Sequence, residues 1–204
     1  MIYDFFAWIS AFTIDLIASA GYFGVFFLMA LESACIPIPS EIIMPFSGFL
    51  VWEGRFSLPL VTLLGALGNV IGSLAAYYAG FYGGRPLIEK YGKYFLVSKK
   101  EIDRAEAWFL KYGNFSIFFS RLLPVVRTFI SFPAGISKMN IGKFTLYTFL
   151  GSLIWSFILT YIGVIMGENW QNIEGYFRKF DWLIVIIGLC FFAWWILKKI
   201  KNHE

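Results

Sequence analysis

Read for its apolar and polar positions, the chain is a series of apolar runs interrupted either by clusters of charge or by single charges set beside prolines. Residues 1–20 are apolar but broken by Asp4, Ser10, Thr13 and Asp15, which fits an N-terminal helix that lies on a membrane surface or spans it poorly. From Gly21 to Leu31 the run is unbroken. Glu32 then arrives, with Pro37 and Pro39 close behind. Proline removes a backbone donor and keeps its predecessor out of helical geometry, so a break is predicted over Ile36 to Pro39. Ser40 is the expected N-cap of the next helix, with Glu41 in its first turn and apolar residues from Ile42 to Trp52. Both arms fall short of the ~20 residues a spanning helix needs. Residues 21–55 therefore read as a re-entrant helical hairpin.

Residues 56–84 carry no charge and predict a spanning helix. Gly68, Gly72, Ala76, Gly80 and Gly84 repeat every four residues, and Gly68, Gly72 and Gly80 are the candidates for close helix packing. Residues 85–112 alternate charged and apolar positions, with Ser98 and Glu101 as a capping box and Ile102, Ala105, Trp108 and Phe109 on one face. They predict a central amphipathic helix on the cytoplasmic surface. Residues 113–140 repeat the earlier pattern with basic charges: Arg121, a break at Pro124, Arg127, then Pro133 and Gly135 closing the second arm. This is a second predicted re-entrant hairpin. Spanning helices follow at 144–167 and, after a polar link, at 182–198.

Composition fixes the class. At 59% hydrophobic, 15% charged and a mean hydropathy of +0.70, the chain has too little polar surface for a soluble globule, so it reads as an all-α integral membrane protein. The net charge of +4 matters less than its placement: no Lys or Arg precedes Arg55, whereas seven lie between Arg85 and Lys111. That bias speaks for membrane topology and against nucleic acid as a partner. Cys35 and Cys190 lie far apart in apolar stretches and suggest neither a disulfide nor a metal site; His203, the lone histidine, sits in the charged tail. No metal and no cofactor are implied.

With residues 85–112 and the lysine tail (Lys198, Lys199, Lys201) cytoplasmic, the three spanning helices run inward, outward and inward. The first hairpin then enters from outside and the second from the cytoplasm. The fold expectation is two oppositely oriented re-entrant hairpins plus about three spanning helices, an inverted repeat of the kind transporters use.

The motifs resemble a known family. Glu32, the P-x-P-x-E of Pro37 to Glu41, Pro45 and Gly48, the G-N-x-x-G of Gly68 to Gly72, the F-x-x-R-L-L-P-x-x-R of Phe118 to Arg127 and the P-A-G of Pro133 to Gly135 are similar to those of the DedA family, also called SNARE-associated or VTT-domain membrane proteins. The resemblance covers about residues 20–167 and implies facing re-entrant hairpins in a multi-pass protein of the bacterial cytoplasmic membrane, its C-terminus cytoplasmic. It implies lipid movement across the bilayer, of undecaprenyl phosphate or a phospholipid such as phosphatidylethanolamine, linked to the proton gradient and without enzymatic chemistry. The functional positions it carries over are Glu32, Glu41, Arg121 and Arg127; self-association is left open.

The physics of the four charges points the same way. A charge at the bilayer centre costs on the order of 3 kcal/mol on insertion scales, so four persist only if paired, hydrated or functional. Arg121 and Arg127 can offer forked donors to one phosphate, and Glu32 and Glu41, withdrawn from water, are candidates for proton exchange. The expected contact is Glu32 or Glu41 against Arg121 or Arg127. Two other readings use the same residues: a proton-coupled carrier of a small anion, and a membrane-homeostasis protein in which the charges only pin the hairpins together. A phosphatase is disfavoured, because no nucleophile constellation or metal-holding carboxylate cluster is present.

Overall fold

The computed structural model describes residues 12–36, 38–95, 115–123 and 126–167, with only the backbone course for 84–95. The chain divides into two compact units, Met1–Ile165 and Met166–Glu204, and the described elements all belong to the first. The described residues are helical throughout their regular structure, without strands. In order they are α1 (12–20), α2 (Tyr22–Ser33), α3 (Ser40–Trp52), α4 (Leu58–Phe95), α5 (Phe115–Ser120), α6 (Val126–Phe129), α7 (Ser131–Ile136) and α8 (Ile141–Ile165). The expected helix at 182–198, the amphipathic segment beyond Phe95, and the breaking prolines Pro37 and Pro124 lie outside the described residues.

Gly21, at φ +62°, lets α1 fold back on α2, and Gly24 brings α2 against the backbone of Leu16. The helices α2 and α3, 12 and 13 residues long, form a hairpin. At its base the Tyr22 ring stacks on Phe56 at 4.5 Å and the Tyr22 hydroxyl accepts from the Ser57 N–H at 2.7 Å; at its tip Ser40 meets Glu32. Each arm is about 20 Å long at 1.5 Å per residue, well short of the hydrocarbon thickness. Over Leu58–Gly83 and Ile141–Ile165, by contrast, α4 and α8 are long and apolar enough to cross a membrane.

Local chemistry shifted several boundaries. Ser40 is not a cap: Pro39 holds the N-cap position with extended backbone, and Ser40 is the first helical residue. Nor does Pro133 end its arm. It occupies the third position of α7, where a helix lacks an internal partner for the N–H that proline lacks, and the helix runs on to Ile136; the interruption falls earlier, at Ile130. The next helix starts at Ile141, because Asn140 Oδ1 accepts from the Lys143 N–H at 3.1 Å and caps it. The first long helix carries on through Arg85, where the amphipathic segment was expected to begin.

The packing is reciprocal. In the first half α2 packs on α4 and in the second α5 packs on α8, while α3 crosses to α8 and α7 crosses to α4. Glycines set these crossings. A Cβ at Gly48 would meet the carbonyl oxygen of Thr160, and one at Gly163 that of Pro45; Gly135 meets Tyr77 O and Gly80 meets Phe132 O in the same way. Gly68 and Gly72 bring α4 against the carbonyls of Phe26 and Ala30. Where α4, α5, α7 and α8 converge, Tyr77, Ile117, Ala134 and Phe144 form an apolar cluster.

Burial runs inside out along α8. Leu146, Ile154, Phe157 and Ile165 face outward, whereas Thr148, Ser152, Ser156 and Thr160 are buried at four-residue spacing. An apolar exterior around a partly polar interior suits a helix solvated by lipid. The glycine crossings should be intolerant of side chains: Gly48→Val or Gly163→Val should cost about 3 kcal/mol or more, since a backbone carbonyl cannot step aside. Gly54→Ala, at a position of φ +77° with open space around it, should cost only about 1 kcal/mol. Thermal unfolding in detergent would measure both.

Candidate functional site

The tip of the first hairpin is shaped by how α2 ends. Cys35 adopts φ +68°, a left-handed position usually given to glycine, and the Ile36 N–H reaches back to Leu31 O at 3.1 Å. The chain thereby turns away while Glu32 stays inside, 4% exposed. In the second half, the turn after α5 and the start of α6 deliver Arg121 and Arg127, each 1% exposed.

Glu32 and Arg127, 95 residues apart, form a buried ion pair with Nη2 2.5 Å from Oε2. The other carboxylate oxygen of Glu32 accepts from the Ser40 N–H at 3.3 Å. The Arg127 guanidinium also lies 5.4 Å from the centroid of the Trp155 ring, a cation–π distance. A second tie between the hairpins lies nearby, where the Cys35 thiol donates to Thr128 O at 3.5 Å.

Arg121 makes no ion pair with either acid. Its Nη1 donates to Arg127 O at 2.5 Å, and its Nη2 donates to Ser131 Oγ at 2.8 Å and Thr148 Oγ1 at 3.3 Å. Its guanidinium lies 5.8 Å from the Phe144 centroid. It thus braces the loop that aims Arg127. Both arginines keep an unspent donor, since Arg121 Nε and Arg127 Nη1 are buried without a partner among the described residues.

Glu41 stands apart from both arginines. It is half-buried in the first turn of α3, and its carboxylate accepts from Ser40 Oγ at 3.3 Å. Ser40 therefore links the two acids, through its N–H to Glu32 and its hydroxyl to Glu41, and the Trp155 indole N–H reaches the same hydroxyl at 3.5 Å. Of the four charges, then, Glu32, Arg121 and Arg127 come together and Glu41 joins only through Ser40.

The supporting side chains Ser40, Ser131, Thr148 and Trp155 were missed as site residues. Thr148 had a readable signal, because it begins the Thr148, Ser152, Ser156, Thr160 stripe in an otherwise apolar helix. Trp155 had none. Among the described residues no group of three or more His, Cys, Asp or Glu could hold a metal ion.

The VTT domain model matches residues 38–165. The chain is 39% identical over 198 residues to the protein named Uncharacterized membrane protein YkoX of Bacillus subtilis, covering 97% of this chain and 86% of that one. It is 36% identical over 184 residues to Undecaprenyl phosphate transporter A of the same organism, covering 90% and 91%. A protein of Lactococcus lactis named Alkaline phosphatase-like protein is 36% identical over 188 residues, covering 90% and 88%. No solved structure matches the chain.

The two acids should respond differently to neutralisation. Glu32→Gln strands Arg127 without its counter-ion and should cost about 3–5 kcal/mol, while the double variant Glu32→Leu with Arg127→Leu should recover most of the loss. Glu41→Gln should cost less than about 1 kcal/mol, as for a partly exposed group with one hydrogen bond. Unfolding midpoints in one detergent would test this order.

Proposed function

The chain belongs to the VTT-domain family, the DedA-type membrane proteins, and on that premise we propose that it moves an anionic-headgroup lipid across the bacterial cytoplasmic membrane in exchange for protons. The feature recognised is the anionic phosphate, which undecaprenyl phosphate carries and which a zwitterionic phospholipid such as phosphatidylethanolamine carries beside its ammonium; the name of the Bacillus relative supports the first. In this reading residues 21–55 and 113–140 are re-entrant hairpins of opposite orientation, the protein is multi-pass, and its C-terminus is cytoplasmic. The reciprocal crossings of α3 on α8 and α7 on α4 support an inverted repeat.

The single observation that carries the proposal is the buried arginine pair with unspent donors beside a carboxylate that can release it. When Glu32 takes up a proton, its charge is cancelled and Arg127 Nη2 is freed to join Nη1 in a fork suited to a phosphate. Arg121 Nε adds a further donor. Loss of the proton restores the Glu32–Arg127 pair and displaces the phosphate. Glu41, the second proton-coupling candidate, is held beside Glu32 by Ser40, whose hydroxyl donates to Glu41 and whose backbone N–H donates to Glu32. The same pair also holds the hairpins together, so the coupling and structural roles coexist.

A leaflet-exposure assay in proteoliposomes tests the proposal, with labelled undecaprenyl phosphate against labelled phosphatidylethanolamine, with and without a pH gradient. Movement of at least one lipid is expected, faster with the gradient; no movement of either sinks the reading. Uptake of a small anion without lipid exposure would point instead to a solute carrier. Arg127→Lys should leave a folded protein and slow lipid movement by about tenfold or more, as a point charge replaces a fork.

A further inference from the structure

Polar side chains inside a membrane protein are costly unless they are hydrogen-bonded or line a wet path. The seam between α4 and α8 holds four whose side chains make no hydrogen bond among the described residues. Asn69 and Ser73 on α4 and Ser152 and Ser156 on α8 are each at most 1% exposed, and neither end of the Asn69 amide nor any of the three hydroxyls has a partner. Such groups in a folded protein call for a bound species that satisfies them.

Their alignment indicates which. The two helices run antiparallel, and two contacts fix their register: a Cβ at Gly65 would lie 3.1 Å from Ser156 Oγ, and the Tyr77 and Phe144 rings lie 4.9 Å apart. Four-residue steps between those contacts put Asn69 level with Ser152 and Ser73 level with Thr148. The polar groups thus form a file, one level per helical turn. Levels four residues apart are separated by about 6 Å, a gap that one water bridges with two hydrogen bonds of about 3 Å. Hydroxyl and amide groups both donate and accept, so water held by them can receive a proton on one side and pass one on from the other.

The file ends at the ion-pair site. Thr148 accepts from Arg121, and Gly72, next to Ser73, packs on Ala30 and Ser33, close neighbours of Glu32 on α2. We propose that the α4–α8 seam holds a chain of bound waters and is the route by which protons reach and leave Glu32 from the end of the bundle where α4 begins. This rests on the reading of Glu32 as a proton-exchanging group, and it adds a path distinct from the Glu41–Ser40 link at the hairpin tip.

The test is a pH-jump infrared measurement on the protein in liposomes, following the carboxylic-acid C=O stretch of Glu32, identified by its loss in Glu32→Gln. Combining Ser73→Ala with Ser152→Ala removes two hydroxyls at almost no steric cost. It should slow protonation of Glu32 by about tenfold or more, the factor given by an added barrier of about 1.4 kcal/mol. Asn69→Leu should do the same and Asn69→Ser should stay near the wild-type rate. An unchanged rate in the serine double variant and in Asn69→Leu overturns the proposal. So does a loss of thermal stability with the rate unchanged, which would mean that Asn69 and Ser152 bond directly as helix glue. A Glu32 band that never titrates overturns it as well. The exchange rate is read without lipid movement, so slowed exchange in a protein that moves no lipid would overturn the transport reading alone.

Discussion

Everything at the centre of this molecule depends on one buried charge contact, Glu32 with Arg127, made between chain segments 95 residues apart. Removing two ions from water costs several kcal/mol each, and their attraction compensates only when the geometry is good and the remaining donors and acceptors are satisfied. Here the acid is well supplied, with Arg127 on one oxygen and Ser40 on the other. The base is less so, since Arg127 Nη1 has no partner among the described residues and the Trp155 face is its further support. The pair ties α2 to α6 and leaves one donor on the arginine side unspent.

The scaffold that brings the pair together owes little to water. Helices in lipid gain nothing from hiding apolar surface from one another, so they must fit closely or bond. Glycine provides the fit at Gly48 with Gly163, at Gly80 with Gly135, and along Gly68 and Gly72. Because α3 and α7 each cross to the long helix of the opposite half, neither hairpin packs only within its own half. Glu32 is thereby held against Arg127.

Much of this was legible in the sequence because the signals were large. A charge or a proline in an apolar run is unambiguous, and Glu32, Arg121 and Arg127 stood out on that ground alone, as did the glycine stripe of α4. What was not legible depended on distance or on fine local geometry. Glu41 and Glu32 looked equivalent by residue type, and only the direction in which α3 leaves its first turn separates them. Pro133 looked like a terminator, yet its effect depends on whether it falls in the first turn of a helix or later, and a shift of a few residues decides that. Arg121 stood out as a charge, but its bonds to Ser131 and Thr148 could not be read, because those side chains come within reach only in the fold.

The glycine crossings have a thermal consequence. Where a glycine Cα lies against a carbonyl oxygen of the neighbouring helix, the contact is one of dispersion and weak C–H···O attraction, which are enthalpic and need no release of ordered water. Separating such helices within a bilayer exposes apolar faces to acyl chains instead of water, so the large heat-capacity increment that curves the stability of soluble domains has no source there. The free energy of this helix assembly should therefore vary almost linearly with temperature and lack the low-temperature decline that hydrophobic cores show, leaving heat and the fluidity of the surrounding lipid as the agents that loosen it.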